Sequence, residues 1–172
     1  MTRCLTRMDR TLLDEQLQRV STLRSEGHLE EALLLALRLH ATAPDEPRIN
    51  YQCAWMYDVM GEERNAAPFY ERALAQGLSG ADRRGALLGL GSTYRNIGEH
   101  RQSAEILRLG ISEYEDGREF QVFLAITLYD MGEYAEAMCL LLRNLAETTQ
   151  DEFLKQYRRA LVFCSENLDW RR

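Results

Sequence analysis

The chain is short of proline, with 3 in 172 residues, and no long stretch alternates apolar and polar residues as a strand would. Leu, Ala, Arg and Glu are plentiful instead, so strong helix formers dominate and an all-α domain is expected. A basic excess is also lacking. Net charge is −6 and the pI is near 5.2. Arginines are scattered and mostly offset by Glu, which argues against a nucleic-acid partner. Only the ends lean basic, through Arg3, Arg7 and Arg10 at the start and Arg171 and Arg172 at the finish. Short tails of this kind are expected to be solvated.

Long apolar runs are absent as well. The longest, Ala32 to Leu37, is far too short to span a bilayer, so no membrane partner is expected. No apolar run follows "MTRCLTRMDR", and no signal peptide is expected. The four cysteines, Cys4, Cys53, Cys139 and Cys164, are 49, 86 and 25 residues apart. None forms a C-x-x-C pair or has a His at zinc spacing, so no metal or cofactor is expected. They read as reduced, mostly buried thiols of a cytoplasmic protein. With 45% hydrophobic and 28% charged residues, the chain suits one globular domain.

A repeat organises what is present. Gly27 ("SEGHLEEA"), Gly61 ("VMGEERNAA"), Gly98 ("NIGEHRQSA") and Gly132 ("DMGEYAEA") are separated by 34, 37 and 34 residues. The Gly-rich "AQGLSGADRRG" accommodates the longer interval. Other columns match when these glycines are aligned. Seven residues earlier stand Val20, Ala54, Gly91 and Ala125, and four earlier stand Leu23, Tyr57, Tyr94 and Leu128. Five later stand Ala32, Ala66, Ser103 and Ala137, and nine later Ala36, Tyr70, Leu107 and Leu141. Small residues let two helices approach and large ones fill the space beside the contact. Gly at the turn permits the left-handed backbone that ends the first helix.

This grammar resembles the tetratricopeptide (TPR) repeat, whose period is about 34 residues. "LGLGSTYRNIGEHRQSAEIL" carries the likeness best, through Leu90, Gly91 and Tyr94. "APFYERALAQGLSGADRRGALLGLGSTYR" is also similar to a group of small bacterial TPR proteins. The resemblance implies a right-handed superhelical α-solenoid of four helix hairpins. These would span about 12–45, 46–80, 81–116 and 117–149, after a basic tail at 1–11. Residues 150–172 would form a capping helix, with Phe153, Tyr157, Leu161, Cys164 and Leu168 as its apolar stripe. Gly110 and Asn144 replace an expected Ala, which should weaken two contacts, and Pro68 should remove a backbone bond inside its helix.

In TPR solenoids the first helices line a concave groove, and the resemblance implies which residues face it. The expected partner-binding set is Arg48, Tyr51, Gln52, Trp55, Asp58, Leu88, Ser92, Arg95, Asn96, Phe123, Ile126 and Tyr129. In "YQCAWMYDVMG", Cys53, Ala54 and Tyr57 then belong to the core, with Met60 beside them. Tyr51, Trp55, Phe123 and Tyr129 would be apolar anchors, Arg48, Arg95 and Gln52 the polar contacts, and Gly85 and Gly89 would leave room for a partner's backbone. TPR domains that grip a chaperone's C-terminal carboxylate use Lys, Asn and Arg in this groove. Here those slots read Leu17, Ser21, Gln52, Gly85 and Gly89, which argues against that use.

Enzyme readings fare worse. "GALLGLGS" lacks the Lys-Ser/Thr ending of a phosphate-binding P-loop, and no strand precedes it. His28, His40 and His100 lie near helix ends with no recognisable nucleophile. The expected function is a non-enzymatic scaffold binding a protein or peptide in the groove. The alternative is a self-associating module, a homodimer whose apolar groove is its own interface.

Overall fold

The structure is a computed structural model that describes residues 7–168; Arg3, Cys4, Arg171 and Arg172 lie outside that range. Ten helices and no strand occur among the described residues. Eight form four hairpins: α1 (Arg7–Ser25) with α2 (Leu29–Thr42), α3 (Pro47–Val59) with α4 (Glu63–Ala75), α5 (Gly80–Asn96) with α6 (His100–Glu113), and α7 (Arg118–Asp130) with α8 (Tyr134–Thr148). Two short helices follow, α9 (Glu152–Gln156) and α10 (Arg158–Glu166). Helix α1 takes in residues 7–11, which the sequence assigned to a tail. The chain divides after Gly89 into two compact units.

Every hairpin turns in the same way. Gly27, Gly61, Gly98 and Gly132 have φ of 84°, 73°, 88° and 82°. The following residue then donates its N–H back five positions, as from His28 to the Leu23 carbonyl at 2.9 Å and from Glu133 to that of Leu128 at 2.9 Å. This closure satisfies a carbonyl that the helix end leaves open, and only Gly takes that backbone without strain.

In the first unit, Leu17, Val20 and Leu23 of α1, Ala32 and Ala36 of α2, and Ile49, Cys53 and Met56 of α3 form one buried cluster. Helix α3 thus covers both members of the preceding hairpin. Met56, given no place in the sequence reading, is fully buried, whereas Tyr57 is half-buried and stacks on Phe69 at 5.7 Å. Burial raises the Cys53 thiol to about 12. The cysteines are not mostly buried, however: Cys139 is half-buried and Cys164 exposed.

Two glycines prove to serve the core. Gly89 lies so close to Tyr70 that an added Cβ would sit 2.5 Å from the phenol oxygen, and a Cβ on Gly85 would overlap the hydroxyl of Tyr51. The room expected for a partner is filled by the protein's own rings. Tyr51 is accordingly 6% exposed and packs on Trp55 and Tyr70, so it is a core residue and not a groove anchor.

In the second unit the Ser103 hydroxyl donates to the Gly91 carbonyl at 2.7 Å and lies 2.9 Å from the Thr127 hydroxyl, tying α5 and α7 to α6. The contacts expected to be weak are filled. Gly110 makes the space for the buried Phe120 ring, and Asn144 donates to Gln121 at 2.8 Å. Pro68 sits on the exposed side of α4, where water can serve the carbonyl it leaves unpaired.

The C-terminal segment departs most from expectation. Tyr157 interrupts it between α9 and α10, and this break rotates the stripe. Helix α10 packs on α8, with Ser165 buried and Leu161 and Val162 half-buried. Phe153, Tyr157, Cys164 and Leu168 are exposed instead.

Two predictions follow from this packing. Gly89→Ala and Gly110→Ala each gain about 1 kcal/mol of helix propensity but overpack a buried ring at about 1–3 kcal/mol. Both should lower the thermal midpoint by a few degrees, and a rise would contradict the packing. The second concerns alkaline pH. Burial, and then the Asp82 charge, raise the Tyr51 phenol to about 12; burial, and then Asp58, raise Tyr70 as well. The folded state keeps protons that the unfolded state releases near pH 10, so stability is full below about 10 and falls as pH rises towards about 12. In urea titrations, Tyr51→Phe with Tyr70→Phe should flatten that decline; an unchanged slope would contradict it.

Candidate partner-binding site

On the first unit the predicted residues form a polar trough of about 400 Å³, lined by Arg48, Gln52 and Trp55 together with Asp14, Arg24 and Asp82. Its centre is Arg24, whose guanidinium carbon lies 3.4 Å from the centre of the Trp55 ring. Arg24 also donates to Gln52 at 2.8 Å and to Ser21 at 3.3 Å. A cation held over an indole and two acceptors is fixed in place, and burial pulls this guanidinium down from its usual range. Trp55 therefore has one face covered from within. Arg48 pairs with Asp14, and Asp58 accepts from Tyr70 at 3.2 Å. Leu88 is half-buried. The trough is largely satisfied by its own contacts.

The second unit differs. Arg95, Ile126 and Tyr129, all in the predicted set, border a pocket of about 620 Å³ whose other wall is Tyr134, Met138 and Leu141 of α8. Ala125 and Ala137, whose small size brings α7 and α8 together, also line it. Arg95 donates to Asp130 at 2.6 Å on the rim. Tyr129 is 64% exposed and meets the ring of Tyr134 edge-on at 5.1 Å. Among the remaining predicted residues, Ser92 and Phe123 are half-buried and Asn96 is exposed.

The α8 wall is absent from the predicted set, which drew only on first helices. A signal for it stands in the aligned columns. Nine residues after each turn Gly are Ala36, Tyr70 and Leu107, all buried, but Leu141 there is 39% exposed. Six after the last three turns are Ala67 and Ala104, both buried, and then Met138, 47% exposed. Of the last three units, only the fourth has a large apolar side chain there, and it is uncovered; the first unit has Leu33, which packs against its core.

Among the described residues no cluster of three or more His, Cys, Asp and Glu could hold a metal, and no helix is long and apolar enough to cross a membrane. The chain is similar in structure to YrrB, described as a TPR protein with an unusual peptide-binding site, at a TM-score of 0.68 and 16% identity, covering 88% of this chain and 76% of that one. No curated protein matches the chain. The tetratrico peptide repeat family profile matches residues 47–168, from the start of α3 through α10. With hairpin turns, column pattern and solenoid fold in agreement, the chain belongs to the tetratrico peptide repeat family.

Proposed function

We propose that the protein is a non-enzymatic interaction scaffold that docks a segment of a protein partner in the α7–α8 pocket. Ile126, Tyr129, Tyr134 and Met138 supply apolar contact and Arg95 a polar one at the rim. One observation carries this reading: the fourth hairpin exposes Tyr129, Tyr134, Met138 and Leu141 at positions that the second and third keep buried or polar. Exposed apolar patches of this kind usually mark interaction sites, and aromatic and Arg residues are frequent binding anchors. The TPR fold is that of protein–protein interaction scaffolds, and the description of YrrB names a peptide-binding site. The trough around Trp55 takes a secondary, polar part.

The test is selection of displayed sixteen-residue peptides on the wild-type protein, followed by binding to Met138→Glu and Trp55→Ala. Met138 is exposed, so the charge should leave the fold intact. Selected peptides should lose about tenfold or more in affinity for Met138→Glu, about 1.4 kcal/mol, and much less for Trp55→Ala. Equal binding to wild type and Met138→Glu would overturn the pocket as the docking site.

A further inference from the structure

The α7–α8 pocket stands where the chain elsewhere places a helix. Counted from the turn Gly, Tyr134, Met138 and Leu141 are the equivalents of Leu29, Leu33 and Ala36 on α2. Ala36 belongs to the buried cluster that α3 completes with Ile49, Cys53 and Met56, and Leu29 and Leu33 pack against that cluster. Tyr129 is the equivalent of Arg24, which meets Trp55 of α3. A similar covering recurs on α6. There Ala104 and Leu107 are buried, and α7 brings Phe120 against Gly110 and Thr127 beside Ser103. In the fourth hairpin Tyr129, Tyr134, Met138 and Leu141 are exposed. Helix α10 does not take the place, because it packs on another side of α8. Arg143, which pairs with Glu166, lies about 180° around α8 from Tyr134 and about 140° from Met138. Ala146 is buried where its equivalents Ala41, Ala75 and Ser112 are exposed.

We infer that the occupant of the α7–α8 pocket is an amphipathic α-helix of a partner protein, lying where the first helix of a fifth hairpin would and turning apolar side chains at i, i+4 and i+7 onto it. This inference rests on the preceding reading of the pocket as a docking site and names the kind of segment it takes. Three observations carry it. First, the pocket continues an interface that the chain already makes with its own helices, α3 on the α1–α2 hairpin and α7 on α6. Second, both covering helices use one pattern. Ile49, Cys53 and Met56 of α3 and Phe120, Leu124 and Thr127 of α7 stand at equivalent positions, and all six are buried. Residues spaced in this way share one face of a helix, whereas in a strand i and i+7 point to opposite faces. Third, the described residues include no strand edge with which an extended backbone could pair. A helix arrives on an apolar wall with its backbone hydrogen bonds already made.

Two libraries of displayed sixteen-residue peptides, each selected on the full chain, test the helix. One randomises positions of an alanine-rich helical scaffold, and the other carries a proline at every fourth position. The helical library should yield binders that lose at least tenfold in affinity for Met138→Glu. Apolar residues should be enriched in them at i, i+4 and i+7. A proline introduced at i+5 breaks the helix but lies off the contacting face, and it should cost at least tenfold. Met138-sensitive binders of equal or higher affinity from the proline library would overturn the helix and leave the pocket standing as a docking site. Helical binders that lack the spacing or tolerate the added proline would do the same. No Met138-sensitive binder from either library would overturn both readings. Sedimentation equilibrium of the chain alone covers the other occupant. A wild-type dimer that Met138→Glu dissociates would give the pocket to a second copy and overturn the outside partner.

Discussion

A helix hairpin presents more apolar surface than it can bury within itself, and the covering of that surface by the next helix shapes most of this structure. In the first unit α3 lies over α1 and α2, and the buried side chains of all three form one cluster. In the second unit α7 covers α6, and hydroxyls of Ser103 and Thr127 join the two. At the α7–α8 hairpin the covering is incomplete. Helix α10 rests on α8, while Ile126, Tyr129 and Met138 face outward.

Close approach is managed by glycine as much as by alanine. Gly85 and Gly89 admit the phenols of Tyr51 and Tyr70, and Gly110 admits Phe120. A large ring against a missing side chain is a volume-conserving exchange, and it keeps the interior close-packed. The same exchange explains why the first unit has little to offer a partner. Tyr51 is used internally, and Trp55 carries Arg24 across one face.

The hairpins were legible in the sequence because a turn Gly, a small column and a large column recur at one period, and backbone geometry demands all three. The core half of "YQCAWMYDVMG" could be read in the same way, through Cys53 and Ala54. Tyr51 could not, since its hydroxyl lies against Gly85, more than thirty residues away, which pattern alone reads as open space. The α8 wall is less legible, because Met138 shares its column not only with Ala67 and Ala104 but with Leu33, a large residue that is packed against the core of its own unit. The C-terminal stripe failed because a single break at Tyr157 changes which side of the helix meets α8. Periodicity locates faces, but a break in a helix or a distant cavity decides which face is covered.

The central claim is that the uncovered α7–α8 hollow docks a segment of a protein partner. Photocrosslinking addresses it most directly, with a benzophenone-bearing amino acid in place of Tyr129 and a selected peptide as the target, the product being mapped by mass spectrometry. The account predicts a crosslink from position 129 to the bound peptide, competed away by excess unmodified peptide. No crosslink at a peptide concentration that saturates the chain would contradict it.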